Sequence, residues 1–337
     1  VYQEFTQFKV DGGGLLTSEA GSFSLNDLNF GLESYGFTLR EAATVSWFEG
    51  QGQLTPFVLE GDAGRITVAG RYNAEVVDAR AEWKDLSLSL VELVGKDPMA
   101  GMMNGSITIT GSPASPKVDV ESTLAGYNPV PGDDNDFPGL DTDLKAIIAD
   151  GSLRVDVTTS VPEKAEFRAD VTMPVALALS PWQFAMPEGA PLEGSLDGEG
   201  DLSVVPPILG MEGQDLSGTL KADLKASGTL ASPGLVGTAT VSDGYYENGS
   251  SSTILNELEI LLEADGKTIR IAKFEGNDTV GGTVSGEGQM TLDPDTGSPF
   301  DFTLKLDKPR LVHRDDLRTQ GAGELRFHGD SSGAKLE

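Results

Sequence analysis

The chain has no cysteine among its 337 residues, and only 7% of them are aromatic. The missing thiols exclude disulfide bonds, thiolate catalysis and zinc sites with cysteine ligands. Glycine, in contrast, supplies 42 residues, nearly twice its usual share of about 7%. Few aromatics and many glycines favour a protein of many short strands joined by turns.

Positive charge is also scarce. The chain has 24 lysine and arginine residues against 53 aspartate and glutamate residues, and its formal net charge is −29. No basic stripe is left to neutralise phosphates, so nucleic acid is not expected as a partner. Repulsion from anionic headgroups also argues against the chain lying flat on a membrane surface.

Long hydrophobic runs are absent as well. The longest apolar stretch, residues 173–186, is interrupted by Ser180, Pro181 and Gln183 and is shorter than the ~18 residues that a membrane-spanning helix needs. We therefore expect no membrane-spanning segment in this chain. It starts at Val1 without a methionine or a signal peptide, and we expect it to be an interior piece of a longer protein.

The hydrophobic pattern has a period of two, which is typical of strands with one apolar face. Between residues 283 and 293, Val284, Met290 and Leu292 fall on one face with two glycines, and the other face is entirely polar. The stretches 220–227 and 300–307 alternate in the same way. Helical spacing of apolar residues is nearly absent, so the sequence predicts an all-β protein.

Turn signals about ten residues apart predict hairpin-connected, antiparallel strands. About twenty strands are too many for one open sheet without curling, splitting or closing. The apolar face must be shielded, and without helices this leaves a sandwich, a solenoid or a long trough. Small inward residues such as Ala222 and Gly286 indicate a thin interior and favour the trough.

One stretch recurs along the chain. Residues 111–127, GSPASPKVDVESTLAGY, correspond to residues 228–246, GTLASPGLVGTATVSDGYY, with a spacing of 117 between Gly111 and Gly228. The flanking segments follow the same order. We therefore divide the chain into three β-groove repeat units, of which the first, residues 1–85, is partial and the others are residues 86–201 and 202–337. Together they form one continuous elongated domain.

The segments LSGTLKADLKASGTLASPGLVGTATVSDGYY and LNELEILLEADGKTIRIAKFEGNDTVGGTVSGEG resemble the C-terminal region of the TamB (translocation and assembly module) family, relatives of the AsmA-like and bridge-like lipid transfer proteins. The resemblance is best over residues 202–306. It implies a β-taco, an elongated U-shaped antiparallel sheet built of repeating hairpin units around an apolar groove. It also implies a periplasmic location, an N-terminal inner-membrane anchor outside this chain, and a TamA-like outer-membrane barrel as partner through a missing C-terminal part.

On this basis the chain is expected to carry phospholipid acyl chains along the groove between the inner and outer membranes. The alternative is a chaperone or scaffold for the assembly of outer-membrane β-barrel proteins, and a third interpretation is an adhesin or stalk with a filled core. The residues expected to line the groove are Ile107, Ile109, Leu153, Val155, Leu220, Leu224, Leu258, Ile260, Ile269, Ile271, Val284, Met290, Phe302 and Leu304.

Signals for catalysis are missing. The two histidines, His313 and His328, lie in no metal-binding motif, and the chain has no nucleophile elbow and no phosphate-binding loop. The acidic residues of the stretch 133–143 could gather calcium, but they lack the EF-hand order and favour a solvated loop. We expect no enzyme activity, no cofactor and no metal.

Overall fold

The structure is a computed structural model. It describes residues 7–17, 19–32, 35–94, 99–129, 137–187, 189–211, 213–313 and 318–337. Strands take up 75% of the chain and helices 5%, so the described residues include no helical layer that could cover a sheet. The prediction of an all-β protein is confirmed.

The first fourteen strands are β1 (Gln7–Leu16), β2 (Ala20–Leu32), β3 (Tyr35–Leu39), β4 (Ala43–Phe48), β5 (Gln51–Gly61), β6 (Gly64–Tyr72), β7 (Val77–Ser87), β8 (Ala100–Ser112), β9 (Ser115–Asn128), β10 (Leu140–Ala149), β11 (Ser152–Val161), β12 (Ala165–Pro174), β13 (Ala176–Leu179) and β14 (Trp182–Ala185). The others are β15 (Glu193–Asp201), β16 (Gln214–Gly228), β17 (Pro233–Asn248), β18 (Thr253–Gly266), β19 (Thr268–Asn277), β20 (Thr283–Thr291), β21 (Phe300–Asp307), β22 (Arg310–His313), β23 (Arg318–Gln320), β24 (Gly323–Asp330) and β25 (Gly333–Leu336).

The helices are short. Those among the described residues are the 3₁₀ helices η1 (Leu88–Val94), η2 (Leu202–Val204) and η3 (Pro294–Thr296) and the α-helix α1 (Val205–Leu209). None of them, within the part of the chain that the structure describes, has the length and hydrophobicity needed to cross a bilayer.

Hydrogen bonding joins 21 strands into one large antiparallel sheet, and the hairpins β13–β14 and β22–β23 form two small sheets of their own. The predicted antiparallel, hairpin-rich sheet is thus present. The U-shape, the groove and the repetition of hairpin units stay predictions.

The chain divides into two compact units. Unit 1 comprises Val1–Thr159 and Pro174–Pro187, and unit 2 comprises Ser160–Met173 and Glu188–Glu337. The predicted division into 1–85, 86–201 and 202–337 stays a prediction. Its two internal boundaries lie close to the starts of η1 and η2, where short helices interrupt the run of strands.

Unit 1 contains a hydrophobic cluster centred on β3 and β5. Phe37, Leu39, Leu59 and Ala63 are buried there, and the Phe30 and Phe37 rings meet with their centroids 5.6 Å apart. Strand β3 pairs with both β2 and β5, which brings these side chains to the same place. Partly buried residues of β2, β5, β6, β7 and η1 complete the cluster.

Candidate functional site

The strand registers of unit 2 align apolar residues in rows that run across ten neighbouring strands. Residues directly opposite in antiparallel strands point to the same side of the sheet, so each row belongs to one face. The first row is Phe167, Gly198, Ala222, Ala239, Leu262, Ile271, Gly288, Phe302, Phe327 and Leu336. The second row is Ala169, Leu196, Leu224, Gly237, Ala264, Ile269, Met290, Phe300, Gly329 and Ala334.

Further apolar positions extend this face along the strands. Leu220, Val241, Ile260 and Phe274 are opposed in succession, and Leu304 opposes Leu325. We call the side of the sheet that carries these rows the apolar face of unit 2. Every member of the two complete rows is glycine, alanine or a larger hydrophobic residue.

Ten of the predicted groove-lining residues belong to unit 2. The structure places them on the apolar face: Leu220, Leu224, Leu258, Ile260, Ile269, Ile271, Val284, Met290, Phe302 and Leu304. Leu258 and Val284 are buried, and the other eight are half-buried. Their role as the lining of a lipid groove stays a prediction.

Aromatic rings lie over glycines of the neighbouring strand on this face. A Cβ atom added at Gly198 would come within 2.5 Å of the Phe167 ring, and one added at Gly288 within 2.3 Å of the Phe302 ring. Glycine in a strand commonly marks such a close approach. These glycines therefore let large rings lie flat along the apolar face.

The opposite face of unit 2 carries ion pairs between neighbouring strands. Lys221 Nζ lies 2.9 Å from a Glu199 oxygen, and Arg270 pairs with Glu263. Arg326 donates two hydrogen bonds to Asp301, and these bonds hold the pKa of Asp301 below its usual range. All these charged side chains are exposed, so this is the solvated face.

Unit 1 has a corresponding pair of apolar rows on one face of its sheet. One row is Phe57, Val68, Ala81, Ile107, Val120 and Ala146. The next row is Leu54, Gly70, Ala79, Ile109, Val118 and Ile148. These rows define the apolar face of unit 1. The predicted lining residues Ile107 and Ile109 lie in them and are half-buried.

The last two predicted lining residues are in β11. Leu153 and Val155 are half-buried and alternate with Arg154 and Asp156, which are exposed. Arg154 Nε lies 3.7 Å from an Asp156 oxygen. Their period of two agrees with a strand that has one apolar and one charged side.

A cleft in unit 1 was not anticipated from the sequence. It has a volume of about 910 Å³ and lies at the ends of β1, β2, β4, β5 and β6. Trp47, Phe48, Arg71 and Tyr72 are among its lining residues, and none of the residues that line it is acidic. A register shift in β5 between Leu54 and Phe57 interrupts the alternation that would have drawn attention to this region.

The described residues contain no group of three or more histidine, cysteine, aspartate or glutamate side chains that could hold a metal ion. Of the predicted acidic run, Asp133, Asp134 and Asp136 lie outside the described residues. Asp141 accepts a hydrogen bond of 2.8 Å from the backbone N–H of Gly126, so its carboxylate links β10 to β9. His328 Nε2 is 3.4 Å from a Glu337 oxygen.

The chain matches no protein-family model, no curated protein and no solved structure at a significant level. The likeness to the TamB family therefore rests on the sequence pattern alone.

Proposed function

We propose that the chain is a segment of a TamB-like periplasmic conduit, in which the apolar faces carry the acyl chains of phospholipids between the two membranes. The observation that carries the proposal is the alignment of apolar residues in rows across ten strands of unit 2. Neighbouring strands lie ~4.8 Å apart, so such a row extends for about 43 Å. No enzymatic step and no cofactor is part of this function.

The energetic reason is the cost of exposing a lipid tail to water. Transfer of each CH₂ group from an apolar environment to water costs about 0.8 kcal/mol, or about 12 kcal/mol for a chain of sixteen carbons. An apolar surface without gaps lowers that cost at every point along the path. It offers no directional bonds, so a tail can slide along it without being trapped.

The half-burial of twelve of the fourteen predicted lining residues supports the same function, Leu258 and Val284 being the buried ones. Fully buried residues would already be covered by other parts of the protein, and fully exposed ones would favour aggregation. The charged pairs on the opposite face keep a long sheet in solution. By the family resemblance we further expect an inner-membrane anchor and a TamA-like barrel as partner, both outside this chain.

The proposal can be tested by photo-crosslinking in cells with the full-length protein. A photoreactive amino acid is placed at Leu220, Leu224 or Ile271, and at the matched outward neighbours Lys221, Lys225 and Arg270, which are exposed on the solvated face. We expect phospholipid to be captured at the three inward positions only. Equal capture on both faces, or no lipid at the inward positions, would contradict the conduit.

The alternative is a scaffold for barrel assembly, in which an exposed edge strand pairs with a strand of an unfolded client. Capture of unfolded outer-membrane protein at Ala334 or Leu336, without lipid at Leu220 or Ile271, would favour the scaffold.

A further inference from the structure

The cleft of unit 1 contains a slot between two aromatic rings. Trp47 of β4 opposes Gly52 of β5, and Gly52 opposes Tyr72 of β6. Residues opposed in this way point to the same side of the sheet. Gly52 is two residues from Leu54, which belongs to the apolar face of unit 1, so both rings lie on that face. We call Trp47, Gly52 and Tyr72, which all line the cleft, the aromatic slot.

The space between the two rings is open. The Trp47 ring lies toward β2, on the side away from Gly52, because a Cβ atom added at Gly21 of β2 would be 2.2 Å from that ring. A Cβ atom added at Gly52 would meet no atom within 4 Å. The strands that carry the rings are two spacings apart, or about 10 Å, so a molecule the size of one ring has room between them.

The charge of the cleft favours a neutral ligand. None of the described residues that line the cleft is acidic, although 53 of the 337 residues of the chain are aspartate or glutamate. Arg71, which also lines the cleft, is 3.0 Å from an oxygen of Asp78. The cleft thus has no carboxylate to hold a cation, and its guanidinium already has an anionic partner, so complementarity favours a neutral molecule over an ion.

A peptide that adds as a strand has no place at the aromatic slot. Each of the three strands of the slot is paired on both edges: β4 with β2 and β5, β5 with β4 and β6, and β6 with β5 and β7. Recognition by strand addition needs a free edge. The slot therefore does not favour an extended peptide.

An acyl chain fits the rings of the slot but not their polar groups. The Trp47 indole N–H and the Tyr72 hydroxyl have no hydrogen-bond partner among the residues that the structure describes. A hydrocarbon between the rings would remove these groups from water without replacing their hydrogen bonds, which costs free energy. The slot thus favours a ligand that combines apolar faces with hydroxyl groups.

We propose that the aromatic slot binds a neutral saccharide, with one pyranose ring between Trp47 and Tyr72. A pyranose has C–H faces, which pack on aromatic rings, and a rim of hydroxyl groups, which can bond the indole N–H and the tyrosine hydroxyl. Aromatic walls with a few polar groups are typical of small-molecule sites. The cleft volume of about 910 Å³ leaves room for neighbouring sugars of an oligosaccharide. This inference does not depend on whether the apolar faces carry lipid.

The test is calorimetric titration of the intact chain with the neutral trisaccharides maltotriose, cellotriose and chitotriose. We expect at least one of them to bind. Saturation-transfer NMR should then show the C–H protons of its pyranose rings in contact with the protein.

Two variants test the slot itself. Gly52→Val fills the open space between the rings and should lower the affinity at least about tenfold. Its Cβ atom meets no other atom within 4 Å and the φ of Gly52 is not positive, so this variant should keep its fold, which circular dichroism checks. Tyr72→Leu removes the ring and the hydroxyl and should lower the affinity about threefold to tenfold.

The matched control is Gly13→Val in β1, which is not among the residues that line the cleft. A Cβ atom there also meets no atom within 4 Å, and the φ of Gly13 is not positive, so saccharide binding should be unchanged. The saccharide site is overturned if no trisaccharide binds, if G52V binds as tightly as the unchanged chain, or if G13V loses as much affinity. Binding of laurate that G52V blocks, without binding of any trisaccharide, would show an acyl site and equally overturn it.

Discussion

The hairpins β8–β9 of unit 1 and β16–β17 of unit 2 have the same backbone irregularities 117 residues apart. Each has a register shift at a glycine with positive φ, Gly101 at 136° and Gly218 at 120°. Each also has, at or next to the end of its first strand, a glycine with nearly the same φ, Gly111 at 95° and Gly228 at 96°.

The surroundings of the two turns differ. Pro113 in the first turn is fully buried, whereas Leu230 at the corresponding position of the second is 39% exposed. The β13–β14 hairpin hydrogen-bonds to Pro113 O and accounts for the difference. The two pairs of glycines thus have similar backbone conformations, and contacts with a distant segment decide that the first of the two turns is shielded.

The largest expected effect separates the two register shifts. A Cβ atom at Gly218 would lie 2.7 Å from the Gly244 Cα, whereas one at Gly101 would meet the end of the Leu88 side chain at 3.0 Å. We expect Gly218→Ala to cost about 3 kcal/mol of unfolding free energy and Gly101→Ala about 1–2 kcal/mol, measured by urea denaturation. Equal costs would show that backbone strain alone, without the contact, determines the effect.

The control for this pair is Gly333→Ala. No atom would lie within 4 Å of its Cβ and its φ is not positive, so we expect a change below about 0.5 kcal/mol. A larger loss there would show that the chain is sensitive to any added methyl group.

The second prediction concerns the hydrogen bonds of the Asp278 carboxylate in unit 2. Asp278 is buried, and its carboxylate accepts hydrogen bonds from the backbone N–H groups of Val280, Gly282 and Arg310 at 2.7–2.8 Å. Burial by itself raises the pKa of Asp278, but these N–H donors outweigh it and the net pKa is lowered. We expect Asp278→Asn to cost about 2 kcal/mol, because the amide nitrogen cannot accept a hydrogen bond.

The lowered pKa sets the direction of the pH dependence. The unfolded carboxyl titrates near pH 4 and the folded one lower, so the stabilisation is complete above about pH 4 and is lost as pH falls through the folded value. The unfolding free energies of D278N and the unchanged chain should therefore approach each other as the pH falls below about 4. Amide hydrogen exchange within unit 2 measures this difference at each pH. A difference between them that does not shrink as the pH falls below about 4 would contradict this role of Asp278.

The smallest expected effect compares the two turns directly. Pro113→Ser removes a buried ring and should cost about 1–2 kcal/mol, whereas Leu230→Ser changes an exposed side chain and should cost less than about 0.5 kcal/mol. Both are measured by thermal unfolding. An equal loss of stability in the two variants would mean that the β13–β14 hairpin does not make the first turn more important for stability than the second.

Much of the local structure was predictable because strand alternation is a local property. The period of two at residues 220–226 and 283–292 places Leu220, Leu224, Val284 and Met290 on one side of their strands, and the registers place them together on the apolar face. The cleft around Trp47 and Tyr72 was not predictable. Its walls come from turns and strand ends far apart in sequence, and a register shift hides the pattern in β5.

The sequence by itself determined the class of fold, the alternation of apolar and charged faces, and the glycines at which the strands bend, since each depends on neighbouring residues and backbone sterics. Only the tertiary structure decided which strands are opposed, which side chains are half-buried and which turn is covered. Those properties depend on contacts between residues distant in sequence. The exposed Trp182 is the clearest case, because an apolar stretch alone does not reveal whether it packs inside the protein or faces the solvent.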